Sequence, residues 1–134
     1  MRATSDRGSA VQDRNRILIV DDDPGILKAV QRLLRQHDYE PILFSSAEAF
    51  TNHADFESAV CVILDINLND GSGIELRRRL KGAGVSVPVI YITGNEDPAV
   101  RKAALASGCI AFLKKPFSAQ SLIEPLKQAS AGLS

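Results

Sequence analysis

The chain has 134 residues, which suits one domain and leaves little room for a second. Apolar residues make up 45%, charged residues make up 24%, and 16 Lys and Arg balance 16 Asp and Glu, which excludes a disordered tail protein and argues against direct binding of nucleic acid. No apolar run approaches the ~20 residues of a membrane span, and Cys61 and Cys109 lie in apolar surroundings that indicate a reducing compartment. We therefore expect a cytoplasmic protein with no membrane partner.

Residues 1–15 are polar and lack the apolar segment of a secretion signal, so we expect a flexible N-terminal extension. Residues 16–131 alternate apolar runs with amphipathic stretches and are predicted to form the domain. Residues 132–134 are expected to be a C-terminal tail or the start of a linker.

The first predicted strand, Arg16–Val20, ends on three acids, Asp21, Asp22 and Asp23. Pro24 suits the first turn of a helix. Apolar residues with helical spacing follow, at Ile26, Leu27, Val30, Leu33 and Leu34. A second strand is predicted from Pro41 to Phe44, at an edge of the sheet because its first residue is proline. The pair Ser45 and Glu48 then predicts a capping box for a helix through about His53.

The third predicted strand, Val60–Leu64, is apolar without interruption and ends on Asp65. Such a run is typical of a parallel sheet covered by helices on both faces. The next residues are rich in Asn, Asp and Gly, so Asp65 is expected at the carboxyl edge of the sheet. Open α/β sheets bind their ligands at that edge.

The rest of the chain repeats the alternation. Ser72 and Glu75 predict a capping box for a third helix that ends near residues 82–84. A fourth strand is predicted at 87–92, followed by Thr93.

Asp97 and Pro98 predict the start of a fourth helix, and Gly108 predicts its end. A fifth strand at 109–113 is followed by Lys115.

Ser118 is expected to cap the fifth helix, and Pro125 is expected to kink that helix or delay its start. Five strands alternating with five helices require right-handed crossovers and a parallel sheet. We therefore predict an α/β, doubly wound, flavodoxin-like fold with strand order 2-1-3-4-5.

In that order Asp21, Asp22 and Asp65 converge, and Thr93 and Lys115 reach the same crevice from strands 4 and 5. Carboxylates at close range repel one another unless a hard cation neutralises them, and oxygen ligands suit Mg²⁺. Asp is also a competent nucleophile toward phosphorus, and Mg²⁺ with Lys⁺ neutralises phosphoryl oxygens during transfer. The cluster predicts an aspartyl phosphate.

These motifs together resemble the receiver domain of two-component response regulators. They are Val20–Asp23, Asp65, Thr93–Gly94 and Lys115–Phe117. The resemblance covers Arg16 to about Ala131. The phrases Ser46–Phe50 and Tyr91–Gly94 are similar to the nitrogen-fixation type, whose receiver precedes a helix-turn-helix output domain, and this implies a role in transcription regulation. The end of the chain leaves open a single-domain regulator or a removed output domain.

The resemblance implies that Asp65 is the phosphoacceptor, with at most slow self-catalysed phosphorylation and dephosphorylation. It implies that Asp22, Asp65 and the main-chain carbonyl of Asn67 bind Mg²⁺, with Asp21 as an outer-shell acid. Asp23 extends the acidic pair to three, so the choice of ligand rests on register alone.

The resemblance also implies that Thr93 and Lys115 contact the phosphoryl group and that Phe112 is the switch aromatic, lacking the hydroxyl of the commoner Tyr. The Lys115–Pro116 bond is expected to be cis. Asn69 stands where the family often has Pro, which makes the loop after Asp65 more mobile.

The implied partners are a sensor histidine kinase and, after phosphorylation, a second copy of the chain bound through the fourth helix and fifth strand. The surface expected to be exposed there comprises Ala99, Arg101, Lys102 and Leu105.

Plainer interpretations exist for each residue alone. The acid run Asp21–Asp23 can cap a helix, Thr93 can be a strand-end hydroxyl, and Lys115 can be a solvated charge. An aspartyl phosphohydrolase of the haloacid dehalogenase type needs a second Asp two positions after the nucleophile, where Asn67 stands. A phosphorelay intermediate remains a further alternative. A nucleotide-binding module lacks support, because no Gly-rich loop follows the first strand.

Overall fold

The computed structural model describes residues 15–94 and 97–132. Most of the predicted N-terminal extension and the last two residues of the predicted tail lie outside these ranges. Asn15 is described, and its carbonyl accepts a hydrogen bond from the Glu40 amide at 2.9 Å.

Strands with apolar sequences form one parallel sheet in the order 2-1-3-4-5, counted along the chain, which confirms the predicted fold. They are β1 (Arg16–Val20), β2 (Glu40–Phe44), β3 (Ala59–Asp65), β4 (Val89–Thr93) and β5 (Ala111–Lys114). β2 lies at an edge, as its proline predicted. A short antiparallel ribbon, in which Asn67–Leu68 pairs with Gly71–Ser72, follows β3.

Each crossover between the strands contains a helix. The helices are α1 (Pro24–Gln36), α2 (Ala47–His53), α3 (Gly73–Gly82), α4 (Pro98–Ala106) and α5 (Ala119–Gly132). A side-chain oxygen caps each of them, because the first N–H groups of a helix have no partner within it. The caps are Asp23, Ser46, Ser72, Asp97 and, as predicted, Ser118, whose hydroxyl accepts the Ser121 amide at 3.1 Å.

Several predicted boundaries were wrong. Ser46, not Ser45, caps α2, since its hydroxyl accepts the Ala49 amide at 3.0 Å. β4 begins at Val89 because Pro88 has no N–H for the ladder. β5 begins at Ala111, two residues later than predicted, after Gly108 in a left-handed conformation (φ 86°).

Two further predictions about the helices need correction. Ser72 caps α3, but the carboxylate of Glu75 pairs with Arg78 at 3.3 Å, so no reciprocal capping bond to Ser72 is seen. Pro125 lies inside α5, which begins at Ala119, so the proline does not delay the start of the helix.

The core has two layers, one on each face of the sheet, because successive strand residues point to opposite faces. Leu18, Val62 and Tyr91 pack toward α2, α3 and α4, and Ile19, Ile63 and Ile92 pack toward α1 and α5. Each fully buried aliphatic side chain contributes about 1.5–3 kcal/mol. The sheet is therefore a rigid support for the residues at its carboxyl edge.

Both cysteines are free thiols in this fold. Burial raises the pKa of Cys61 to about 12 and also raises the pKa of Cys109. Within the described ranges, no helix combines the length and the hydropathy that crossing a membrane requires.

Candidate functional site

The candidate site lies where β1 and β3 end side by side, since Val20 pairs with Leu64 in the ladder and each strand is followed or ended by an acid. Asp21 is fully buried and Asp65 is 4% exposed. One carboxylate oxygen from each of Asp21, Asp22 and Asp65 lies within 4.8 Å of the others. The predicted acidic cluster therefore exists in the folded chain.

The third acid of the run has a different place. The Asp23 carboxylate accepts the Gly25 amide at 2.8 Å and caps α1, while the Asp23 amide donates to Asp21 Oδ1 at 2.8 Å. The plain capping interpretation thus holds for Asp23 but not for its two neighbours.

Backbone amides of the loop after β3 orient the other two acids. Asp22 Oδ2 accepts the Asn69 amide at 2.7 Å, and Asp65 Oδ1 accepts the Asn67 amide at 3.0 Å. The loop and the acidic cluster are therefore one hydrogen-bonded unit.

Lys115 brings a cation to the cluster. Its Nζ lies 2.8 Å from Asp21 Oδ2 and 3.1 Å from Asp65 Oδ2. The contact with Asp21 is an ion pair without hydrogen-bond alignment, so this buried oxygen has no aligned donor among the described residues. The Lys115–Pro116 bond is cis, as predicted.

Thr93 is fully buried at the end of β4, and Asn67 Nδ2 lies 3.4 Å from its hydroxyl. Phe112 is half-buried on β5, with the Arg101 guanidinium 5.2 Å from its ring centroid. The structure thus brings the predicted site residue Thr93 next to Asn67. Phe112 contacts α4 through Arg101.

A sequence profile described as the response regulator receiver domain matches residues 17–127, which is most of the chain. The chain belongs to the response regulator receiver domain family. The predicted resemblance to this family is therefore confirmed.

Similar proteins are themselves response regulators. The response regulator protein TodT of Pseudomonas putida is 33% identical over 129 residues, which cover 96% of this chain and 54% of TodT. The transcriptional regulatory protein FixJ of Rhizobium meliloti is 32% identical over 115 residues, which cover 86% of this chain and 56% of FixJ. The chain thus spans about half the length of the curated relatives it matches.

The structural comparison agrees with the sequence comparison. A crystal structure of a response regulator receiver protein from Pseudoalteromonas atlantica has a TM-score of 0.84 and 27% identity, and covers 89% of this chain and 99% of that chain. The shared architecture is the five-stranded parallel sheet with helices on both faces. This receiver domain is a signalling domain by family.

The electrostatics of the receiver site follow from burial and charge. Burial raises the pKa of Asp65, the Asn67 amide opposes the rise, the Asp21 charge adds to it, and Lys115 opposes it; the net shift is upward. Burial lowers the pKa of Lys115, but its attraction to the Asp21 and Asp65 carboxylates and its hydrogen bond to Asp65 outweigh this and raise the pKa overall. The ammonium is therefore held charged beside carboxyls that disfavour one another.

The donor set of the receiver site fits a small divalent cation. Three carboxylates offer oxygen atoms at short range, and Asp21 Oδ2 is buried without an aligned hydrogen bond among the described residues. Hard oxygen ligands of this kind, completed by water, are the usual environment of Mg²⁺.

Asp70 is a residue whose role the sequence analysis missed. Its two carboxylate oxygens accept the Ala47 and Glu48 amides, each at 3.0 Å, and these bonds lower the pKa of Asp70. An Asp before Gly in a polar loop indicates a turn. Only the tertiary fold brings this carboxylate to α2.

Proposed function

We propose that this receiver domain accepts a phosphoryl group on Asp65 from the phosphohistidine of a sensor histidine kinase, with Mg²⁺ bound, and then changes conformation. The observation that carries the proposal is the convergence of Asp21, Asp22 and Asp65 within 4.8 Å beside the Lys115 ammonium. This arrangement combines a nucleophilic carboxylate with groups that hold a cation and a transferred phosphoryl group.

The proposed step exchanges one bond to phosphorus for another. An Asp65 carboxylate oxygen forms the new P–O bond, the P–N bond to histidine breaks, and the histidine nitrogen takes up a proton from solvent. The Lys115 ammonium, now 3.1 Å from Asp65 Oδ2, neutralises charge on the transferred oxygens. Thr93 donates its hydroxyl to one of them.

Asp22, Asp65 and the Asn67 carbonyl would hold Mg²⁺, and Asp21 would support them from the outer shell. The contrast between Asp21 and Asp22 supports this division, since Asp21 is fully buried with Lys115 beside one carboxylate oxygen and the Asp23 amide on the other, whereas Asp22 is partly exposed. When bound, Mg²⁺ neutralises carboxylate repulsion and the charge of phosphoryl oxygens.

The phosphoryl group would add roughly −1.5 to −2 charge at Asp65. Lys115 and Thr93 follow the new charge, and the backbone bond from the Lys115 amide to the Thr93 carbonyl, 2.7 Å long, joins the two residues. The change thereby shifts the populations of the conformations that Phe112 on β5 and the neighbouring α4 adopt. Partners would recognise that face, and by likeness to the transcriptional regulatory protein FixJ the output would be control of transcription through such partners.

Acetyl phosphate tests the assignment without a kinase. With Mg²⁺, we expect the intact mass to rise by one phosphoryl group per chain in the wild type and in the control Asp55→Asn, which changes an exposed acid. Asp65→Asn should show no increase, and a full increase on that variant would overturn the proposal. Continuous release of phosphate over many turnovers would instead identify a phosphohydrolase.

A further inference from the structure

Two carboxylates attach the middle of the loop between Asp65 and α3 to other parts of the domain. Asp22 Oδ2 accepts the Asn69 amide at 2.7 Å, and the Asp70 carboxylate accepts the Ala47 and Glu48 amides at 3.0 Å. Between Asp65 and α3 the regular pairing is limited to the short ribbon. The position of the turn at Asn69 and Asp70 therefore depends on these two attachments.

The attachment at Asp70 is more than a helix cap, because α2 already has one. Ser46 Oγ accepts the Ala49 amide at 3.0 Å, whereas Asp70 comes from 22 residues farther along the chain to accept the Glu48 amide. The Glu48 amide is exposed, and such an N–H group at a helix start can bond water instead. We therefore expect the Asp70 bonds to matter more for the position of the loop than for the stability of α2.

The turn of the ribbon has no proline to restrain its backbone at position 69. A proline at position 69 would fix its own φ angle, whereas Asn69 leaves that angle free and keeps an N–H group. That N–H group is the donor to Asp22. Because the next residue, Asp70, is bonded to α2, the backbone at Asn69 can adopt fewer conformations, and the Asn69 amide is kept close to Asp22.

We propose that Asp70 is a positioning residue of the phosphoacceptor site. By attaching the loop to α2, it keeps the Asn69 amide on Asp22 and thereby holds the loop beside the acidic cluster. The inference rests on the proposed function, since it concerns the same site and its affinity for Mg²⁺.

Three variants separate positioning from capping. Asp70→Ala removes both bonds to α2, Asp70→Asn keeps a side-chain oxygen that can accept one of them, and Ser46→Ala removes the other cap of the same helix without touching the loop. We would measure Mg²⁺ affinity by calorimetric titration and, in metal-free protein, amide hydrogen exchange across residues 67–72.

We expect Asp70→Ala to weaken Mg²⁺ binding about threefold or more, less than the ~10–100-fold typical of residues that bond a metal ligand directly. It should also speed exchange of the Asn69 amide. Asp70→Asn should recover most of both properties, and Ser46→Ala should leave Mg²⁺ affinity at the wild-type value.

Unchanged Asn69 exchange in Asp70→Ala, or an equal loss of Mg²⁺ affinity in Ser46→Ala, would overturn the positioning role and leave Asp70 as a helix cap. A wild-type protein that binds no Mg²⁺ would instead overturn the proposed function. The two failures are therefore distinguishable.

Discussion

Lys115 and Asp65 meet across the carboxyl edge of the sheet, with Nζ 3.1 Å from Oδ2, although β4 lies between the strands that carry them there. The same ammonium lies 2.8 Å from the fully buried Asp21. One cation thus offsets two buried carboxylates, and its loss would leave both without that compensation.

We predict that Lys115→Ala lowers the free energy of unfolding in metal-free buffer by about 3 kcal/mol, because removing one partner of a buried ion pair leaves a buried charge uncompensated. This value is the lower end of the roughly 3–5 kcal/mol usual for removing one partner of a buried pair, and we choose it because the Lys115 side chain is 19% exposed. Urea unfolding measures the change. Lys102→Ala, on the exposed side of α4, should change stability by no more than about 0.5 kcal/mol. Equal stability of the two variants would contradict the prediction.

A second prediction concerns pH. The folded-state pKa of Asp65 lies above its ordinary value of 3.8, because burial and the Asp21 charge outweigh the Asn67 and Lys115 contacts. The charged carboxylate therefore destabilises the fold above the raised pKa, and this cost falls as the pH drops through that pKa toward 3.8. Metal-free Asp65→Asn should unfold at a higher temperature than wild type at pH 7, and the difference should shrink toward pH 4. A constant difference in thermal scans would refute this.

The fold and most site residues could be predicted because their signals are local. Uninterrupted apolar runs such as Val60–Leu64 indicate buried parallel strands, and an acid at the end of a strand must lie at the carboxyl edge of the sheet. The convergence of Asp21, Asp22 and Asp65 then follows from strand order alone. The order of the strands in the sheet is enough to place these three acids together, without knowledge of their side-chain conformations.

The sequence does not determine which of two similar neighbouring residues has a given role, or which residues far apart in sequence come into contact. Ser45 and Ser46 are equally good caps by composition, and the path of the chain after β2 selects Ser46. The role of Asp70 depends on a contact with Ala47, 23 residues away in sequence. No periodicity or spacing encodes such a contact, so it emerges only from the packed structure.

A third prediction ranks the acids by metal affinity. Asp22→Ala should weaken Mg²⁺ binding more than Asp21→Ala, because the proposed ligand set includes Asp22, whereas the Asp21 oxygens accept the Asp23 amide and face Lys115. Calorimetric or fluorescence titration would rank the variants. Equal losses, or a larger loss at Asp21, would assign the direct ligand to Asp21.

A fourth prediction concerns Gly73, the first residue of α3. A Cβ atom there would collide with the backbone carbonyl oxygen of Asp65, so Gly73→Ala must shift the end of β3. We expect a loss of about 1–3 kcal/mol in stability, as for other overpacked positions, together with slower phosphorylation by acetyl phosphate. Gly82→Ala, at the other end of α3, places the added Cβ more than 4 Å from every described atom outside its chain neighbours and its own helix backbone, and should be neutral or stabilise by about 0.5 kcal/mol. A Gly73→Ala protein of wild-type stability and rate would contradict the prediction.

The last prediction concerns the face formed by α4 and β5, where Leu105 is 52% exposed and Ile110 is 45% exposed. Arg101 lies on the same face with its guanidinium over the Phe112 ring. A mixed surface of this kind, in which apolar side chains alternate with charges, supports weak association, so the unphosphorylated protein should be mainly monomeric. Phosphorylation should shift the population toward a conformation in which two copies associate through this face.

Sedimentation velocity with and without beryllofluoride, a mimic of the phosphoryl group on Asp65, measures this shift. We expect a larger sedimentation coefficient with beryllofluoride at high protein concentration. Arg101→Glu should abolish the increase, because it reverses a charge on the face and removes the cation over Phe112. Lys28→Glu, an equal charge change on the exposed side of α1, should leave it intact. An unchanged coefficient in the wild type, or a dimer that survives Arg101→Glu, would show that this face does not mediate the association.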